Sequence, residues 1–467
     1  MSRPDALRDP FLWAGGALYA AAIAALDAQR YAVHRNFVDF GIFAQTAASA
    51  FSCFCNTVEG SHWAFHFSPI LSVPGLLLLV RHSPYVFFAL QGIACAAVAP
   101  PIAAMVAART DLRTGRLAAL CVWLYPPLAG LGFDDFHENL FAPAAVAWML
   151  WAFERRRFGA AAISAALVLA VKEDQALFLA WAGAWAAWSL RREDPARARF
   201  AAVCVVAALL IAAVFFLWIQ PHANVNPHWQ PERFYAWTAA DLRALPLGIV
   251  ERLGFLLLIS APLAFLPWRS PMIVAAFPPL AEVLLSRMST TFTLGTHYAG
   301  AWLGWWFGAF ADAVRTRKAL AWALAFAAIE FLVADPLHPG LNLRPVQARD
   351  RALDAFLASL PHDLPVATQE EAYTHLALRD PHATVLPDDP RVPLPARYVL
   401  VDEAYPDSPR LQEYGPALHR LERAGILRTI RRDGAITLYA VRSVSPERAG
   451  VQRERHHPAN GPAVPPR

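Results

Sequence analysis

Residues 67–80 read Phe67-Ser68-Pro69-Ile70-Leu71-Ser72-Val73-Pro74-Gly75-Leu76-Leu77-Leu78-Leu79-Val80. The stretch is apolar enough to suggest a membrane span but short for one. Around it, apolar runs alternate with clusters of basic residues: Arg3/Arg8, Arg109/Arg113/Arg116, Arg155/Arg156/Arg157, Arg191/Arg192/Arg197/Arg199, Arg269 and Arg315/Arg317/Lys318. Counted as a span, 67–80 puts the 109–116 cluster on the wrong side of the membrane from the others. Laid along the exterior interface, as a juxtamembrane or re-entrant segment, it leaves every cluster on one face. Cytoplasmic loops of membrane proteins collect Lys and Arg. The second reading therefore predicts a cytoplasmic N-terminus and one consistent topology. The same check over 158–190 makes Lys172-Glu173-Asp174 an exterior turn between two short spans.

The 467-residue chain is 57% hydrophobic and 17% charged, too apolar for an ordinary soluble protein. We read it as an all-α polytopic membrane protein with about eleven transmembrane helices. They lie at 11–26, 85–108, 117–131, 140–153, 158–171, 176–190, 200–219, 253–268, 272–285, 298–314 and 319–333. The first is followed by Asp27, Gln29 and Arg30 without a small-residue cleavage site, so it is expected to be retained. Several spans are short, about 21 Å for the fifth against a hydrocarbon core of about 30 Å. Their ends must borrow polar residues or open into a wet vestibule. Sixteen Trp and 29 Phe suit the two interfacial belts. A net charge of +4, carried in loops, gives nucleic-acid binding no support. Three of the five cysteines, Cys95, Cys121 and Cys204, sit in apolar runs. Cys53 and Cys55 are two apart, where a bridge is expected to be strained and a zinc site incomplete.

The composition changes near residue 335. Within 340–442, short strands at 366–368, 398–401, 426–430 and 435–441 and helices at 348–360 and 409–424 predict a small soluble α/β domain. The odd number of spans places it outside. Residues 443–467, rich in Pro, Arg and His, read as a disordered tail. The membrane domain, 1–335, shows no internal repeat, which gives an inverted-repeat transporter no support.

Ionisable groups at membrane depth are costly and point to function. The predicted exterior loops hold Asp39; His62 and His66; Asp134, Asp135, His137 and Glu138; Lys172, Glu173 and Asp174; and later Gln220, His222, His228, Glu232, Arg233 and His297. Each has a plainer reading. Asp39 could cap a turn beside Arg35. His62 and His66, one helical turn apart, could form a metal pair or an interfacial aromatic face with Trp63 and Phe65. Asp135 or Glu138 could cap the following helix. Lys172-Glu173-Asp174 could be a self-neutralising turn. Taken together, they bring carboxylates able to act as general bases and cations able to neutralise a leaving phosphate to one interface.

The ordered strings Asp39-Phe40-Gly41-Ile42-Phe43, Ser61-His62-x-x-x-His66-Phe67-Ser68-Pro69, Phe133-x-x-Phe136-His137 and Lys172-Glu173-Asp174 resemble the DUF2079 family of predicted membrane proteins. The resemblance runs from about residue 30 to 442 and includes the strand Tyr398-Val399-Leu400-Val401-Asp402. A more distant resemblance is to the integral-membrane C-type (GT-C) glycosyltransferases. It rests on His66-x-Ser68-Pro69-Ile70-Leu71, an apolar run, Ser83-Pro84, a span and Arg109. Those enzymes take sugar from a polyprenyl-phosphate lipid at the exterior face. The resemblance implies a GT-C-like fold with Asp39 as the catalytic acid of the first loop. The 134–138 string stands where a second acidic motif is common. The chain departs from the pattern in having one acid after its first span instead of a pair, and in using His for much of the basic equipment.

The expected function is a transferase using a lipid-linked sugar at the exterior face of the cell membrane. Asp39, Asp134, Asp135 and Glu138 are the candidate catalytic groups. His62, His66, His137, Lys172, Glu173, Asp174 and His297 are the candidate substrate-binding ones. No cofactor is implied with certainty, and a divalent metal stays open. The competing reading is a transporter or lipid-handling protein that uses the same charges without transfer chemistry. A membrane anchor for an exterior binding domain ranks last, because eleven spans exceed what an anchor needs. In a single site, Asp39 should contact a histidine of its own loop, face the 134–138 string, and have 67–80 in the wall.

Overall fold

Three helices begin at an aspartate that does two jobs. Asp9, Asp111 and Asp194 each accept backbone N–H groups at a helix start, and Pro10 and Pro195 follow two of them at the first helical position. Each also pairs with an arginine from elsewhere: Asp9 with Arg116 at 2.6 Å, Asp111 with Arg317 at 2.8 Å and Asp194 with Arg156 at 2.8 Å. Arg109 reaches Glu154 and Asp312, and Ser270, next to Arg269, donates to Asp312 at 2.6 Å. The basic clusters among the described residues therefore meet at one end of the helix array.

The computed structural model describes residues 6–223, 234–333, 344–387 and 392–442, with 337 and 389. His228, Glu232, Arg233 and the 443–467 tail lie outside the described residues, and the expectations for them stay there. The chain divides into two compact units, the first ending at Gln347 and the second beginning at Ala348.

In the first unit the helices run α1 Pro10–Ala32, α2 Val38–Ala48, α3 Ser72–Val80, α4 Tyr85–Ala96, α5 Ala99–Arg109, α6 Leu112–Trp123, α7 Pro126–Phe133, α8 Ala142–Glu154, α9 Phe158–Val171, α10 Glu173–Leu190 and α11 Pro195–Val214. Further helices span Ala239–Ser260, Ile273–Leu285, Ala299–Ala313 and Arg317–Val333. Among the described residues, four stretches are long and apolar enough to cross a membrane: Pro10–Ala32, Tyr85–Arg109, Pro195–Ala223 and Leu245–Leu263. The pair α6 and α7, bent by 49°, makes a fifth if it is one span. The chain is a multi-pass membrane protein. The core is centred on Ala299–Ala313, whose Trp302, Trp305 and Trp306 are fully buried.

Residues 69–80 form a short 3-10 turn, Pro69–Leu71, running into α3. Twelve residues reach about 18 Å, well short of a bilayer core. A Cβ at Gly75 would stand 2.6 Å from the Ala47 carbonyl oxygen, so α3 lies directly on the end of α2. Leu76, Leu79 and Val80 on its other side are exposed. The segment before it, read only as an exterior loop, folds as α2 and a small hairpin of β1 (Cys55–Asn56) and β2 (Gly60–Ser61). Cys53 and Cys55 are joined in a disulfide with a Cα–Cα distance of 5.2 Å.

The second unit has a five-stranded sheet in the order β4-β3-β5-β7-β6, with β3 Val366–Thr368, β4 Thr384–Val385, β5 Tyr398–Asp402, β6 Leu427–Asp433 and β7 Ile436–Val441. β3 runs parallel to β4 and β5, while β7 is antiparallel to β5 and β6. Its core is made by Val399, Val401 and Tyr439 of the sheet with Tyr414, Ala417 and Leu418 of the helix Pro409–Arg423.

Candidate active site

At the end of the array away from the arginine pairs, four loops converge. Their frame is a buried ion pair. Asp135, 3% exposed, lies 2.9 Å from Arg30 and accepts from Asn36 Nδ2 at 3.0 Å, Phe37 N at 2.7 Å and Phe40 N at 3.2 Å. It thus caps α2 from across the fold, where Phe37 at the helix start has no side chain able to do so. Arg30 also donates to the Phe133 carbonyl at 2.6 Å, and Gln91 donates to the carbonyls of Gly132 and Asp134. These bonds fix the 133–137 turn against α1, α2 and α4. Asp135 was expected among the catalytic carboxylates. Its oxygens are engaged by Arg30, Asn36 and the α2 start.

Asp39 sits in the first turn of α2, half-buried. Its ligand atom groups with those of His137 and His297, all within 4.8 Å of one another. The two imidazoles are stacked, 3.8 Å between centroids and 10° between planes, and Phe43 packs on His137 at 4.1 Å. His297 Nδ1 lies 3.1 Å from Asp134 Oδ2, which also accepts the His297 backbone N–H at 2.7 Å. His137 Nδ1 lies 2.7 Å from Glu138 Oε2, and Glu138 is fully buried.

Burial pushes the Asp39 carboxyl up to about 7, with Asp135, Asp134 and Glu59 adding to the shift and His297 opposing it. Burial acts the same way on Asp134, but the His297 ring and backbone, with Arg30, outweigh it and hold Asp134 at about 2. Burial drives the His137 ring down to about 3 against the pull of Glu138. Asp134 and Asp39, two carboxyls on either side of His297, are thus set apart by their environments.

The remaining expected residues form a second cluster. His66 Nδ1 lies 2.9 Å from Glu173 Oε1, and Glu173 Oε2 accepts the Phe67 backbone N–H at 2.9 Å. Lys172, in extended backbone between α9 and α10, places its Nζ 3.7 Å from Asp174 Oδ2. His66, Lys172, Glu173 and Asp174 line a cavity of about 280 Å³ with Phe65, Phe216, Phe234, Tyr235 and Tyr298. The Tyr298 ring lies 4.2 Å from His297, which joins the cavity to the Asp39 group. His62 is buried behind His66, its ring 5.6 Å away and its Nδ1 3.6 Å from Glu59.

The expectation for Asp39 was a histidine of its own loop. His62 and His66 face Glu59 and Glu173 instead, and the imidazoles beside Asp39 come from two other loops. The stretch 67–80 was expected in the wall; the cavity is instead lined by Phe65 and His66, and α3 packs on α2. Two acids were missed. Glu59 has no signal beyond a loop charge. Glu282, which lines the cavity, is the lone acid of the apolar helix Ile273–Leu285 and was detectable on that ground.

The profile of the family described as "Predicted membrane protein (DUF2079)" matches residues 34–387. No curated protein matches the sequence. Among solved structures, ArnT from Cupriavidus metallidurans bound to undecaprenyl phosphate is similar, with a TM-score of 0.53 at 12% identity over 92% of this chain and 98% of that one. The apo state of ArnT gives 0.52 at 11% identity over 91% and 98%. At such identity the likeness is one of fold.

Proposed function

Since the chain belongs to the DUF2079 family of predicted membrane proteins, we propose that it is a membrane glycosyltransferase that draws sugar from a polyprenyl-phosphate donor at the exterior face. One observation carries the reading. Lys172 and His66 share an aromatic-lined cavity with the Asp39 group, in a fold shared with a protein crystallised with undecaprenyl phosphate. Lys172 and His66 hold the donor phosphate. Phe65, Phe216, Phe234 and Tyr235 receive the first isoprene units. Asp39 accepts the proton of the acceptor hydroxyl as its oxygen attacks the sugar C1. The C1–O bond to phosphate breaks, and polyprenyl phosphate leaves with the charge that Lys172 and His66 neutralise. His297, held by Asp134, keeps Asp39 in place, and Glu173 does the same for His66.

The same proposal covers topology. The gathered arginines face the cytoplasm and the site faces out. The Cys53–Cys55 disulfide, beside the site in the chain, belongs in an oxidising compartment. About eleven helices cross the membrane, the shorter ones opening into the cavity. The unit from Ala348 folds as a separate exterior domain. Mass spectrometry of lipid that co-purifies with the full chain should find a polyprenyl-phosphate sugar, absent from a Lys172→Ala variant. Copies that flip lipid without donor turnover, and keep doing so with Asp39→Asn, would instead favour lipid handling.

A further inference from the structure

We infer that the arginine end of the helix array holds one phospholipid with an ethanolamine-type headgroup, a phosphate followed by a primary ammonium, in a cavity of its own. That cavity measures about 230 Å³, and its charged lining is Arg109, Glu154, Arg197 and Asp312. These stand at the end of α5, the end of α8, the first turn of α11 and the end of the helix Ala299–Ala313, so four elements build it. Leu150, Phe153 and Trp305 of its wall also line a narrow apolar crevice of about 50 Å³, which reaches Leu179 of α10 and Cys204 of α11. A pocket that encloses a whole drug-sized ligand runs to about 300–1,000 Å³, so this one suits a headgroup whose chains lie along the outside of the helices. Trp185 of α10 is part of the wall, and one turn further on Trp188 is exposed, with the Arg191 guanidinium 3.7 Å over its ring. Tryptophan beside a basic residue marks a membrane interface, which puts the cavity at headgroup depth.

The pattern of charge names the headgroup. Arg109 is shared by two carboxylates, Glu154 and Asp312, the second at 3.5 Å. Asp194 is shared by two guanidinia, Arg197 and Arg156, the second at 2.8 Å. One group has a carboxylate in excess and the other a guanidinium, and Glu154 and Arg197 bring the two to the same cavity. Arg197 meets the Asp194 side chain through Nε, so its two terminal nitrogens remain for a phosphate. Glu154 meets Arg109 through Oε1, which leaves Oε2 for an ammonium, and Ser270 fixes Asp312 beside it by donating to Oδ2 at 2.6 Å. Charge at membrane depth is costly unless paired, and a ligand that carries both signs pairs both excesses at once. A purely anionic lipid would satisfy the guanidinium and set its phosphate against Glu154 and Asp312. A choline head has no N–H for either carboxylate, whereas a primary ammonium has three. On the proposed topology the lipid comes from the cytoplasmic leaflet; the charge pattern stands without that assignment.

The test uses the full chain purified in detergent, cleared of lipid and read by native mass spectrometry after addition of phosphatidylethanolamine, phosphatidylcholine or phosphatidylglycerol with the same acyl chains. The wild type should retain one phosphatidylethanolamine about tenfold better than either of the others. Glu154→Gln should bring phosphatidylethanolamine down to the level of phosphatidylglycerol, because the phosphate contact survives and the ammonium contact does not. Arg197→Gln should weaken all three. Arg192→Gln, at an exposed arginine of the same end, should change nothing. N-acetylated phosphatidylethanolamine keeps the phosphate and loses the ammonium, so the wild type should hold it no better than phosphatidylglycerol, a comparison that needs no variant. Equal retention of the three lipids by the wild type, no retained lipid at all, or a preference that N-acetylation leaves intact overturns the site. Selective retention by a protein that never transfers sugar removes the transferase alone. Transfer by a protein that shows no such selectivity removes this site alone.

Discussion

Single residues divide the labour at the site by what surrounds them. Asp39 and Asp135 are both acids of the converging loops, but only Asp39 has a carboxylate free to meet a substrate. Asp39→Asn should lower transfer about 10²–10⁴-fold, the usual worth of a general base, with unchanged membrane insertion and unfolding temperature. Asp135→Ala should do the opposite first. It strands Arg30 and uncaps α2, costing about 3–5 kcal/mol, which thermal unfolding in detergent would register. The His66–Glu173 pair sets the pH response. Burial lowers the His66 pKa, but Glu173 outweighs it and the net position is above the ordinary value, while Lys172 stays charged well above neutrality. A raised histidine is protonated below its folded pKa and loses its charge as pH rises through it. Donor affinity should therefore fall as pH is raised above the ordinary histidine range, by a step that His66→Gln removes and that leaves the Lys172 contribution intact. Binding of a polyprenyl phosphate at a series of pH values checks this. Most of these residues were legible in the sequence, because charge inside apolar sequence is conspicuous. Their partnerships were not. Nothing near Asp39 marks His297, and the capping role of Asp135 depends on where residue 37 lies in space.

At the scale of elements, some positions were read well where charges interrupt an apolar run. Helix α9 covers Phe158–Val171 as expected, and the break at Lys172 falls where the charges interrupt the run. The first loop was read poorly. Its α2 has apolar residues on every side, eight of eleven buried, so no periodicity separates it from a loop packed into a protein. Close contacts between elements also carry function without touching substrate. A Cβ at Gly300 would stand 2.3 Å from the Asn139 carbonyl oxygen, next to Glu138. Gly300→Val should push the 138–141 turn outward, and with it Glu138 and His137. Transfer should drop at least tenfold while the lipid still co-purifies, since Lys172 and His66 stand on other elements. Comparing donor retention with turnover in that variant separates the two clusters.

For the whole molecule, the pairing of arginines at one end and the gathering of carboxylates and imidazoles at the other make a polarised protein. A cytoplasm-dependent fluorescent reporter fused after Val441 should stay dark, and an export-dependent phosphatase there should be active. The reverse would put the site on the cytoplasmic side and remove the exterior donor. Polarity of this kind was legible from charge counts alone, because insertion itself sorts Lys and Arg. There is also an order in time. Asp39 and His297 are 258 positions apart (297 − 39). At about 5–20 residues per second, the ribosome needs roughly 13–50 s to deliver the second after the first. Arg30, Asp135 and the α2 cap can close early in that interval. The imidazole that completes the Asp39 group arrives only with the helix Ala299–Ala313, which also fills the core. On the proposed function, a nascent chain stays inert in the bilayer until most of the membrane unit has been made, and transfer itself would report that assembly is finished.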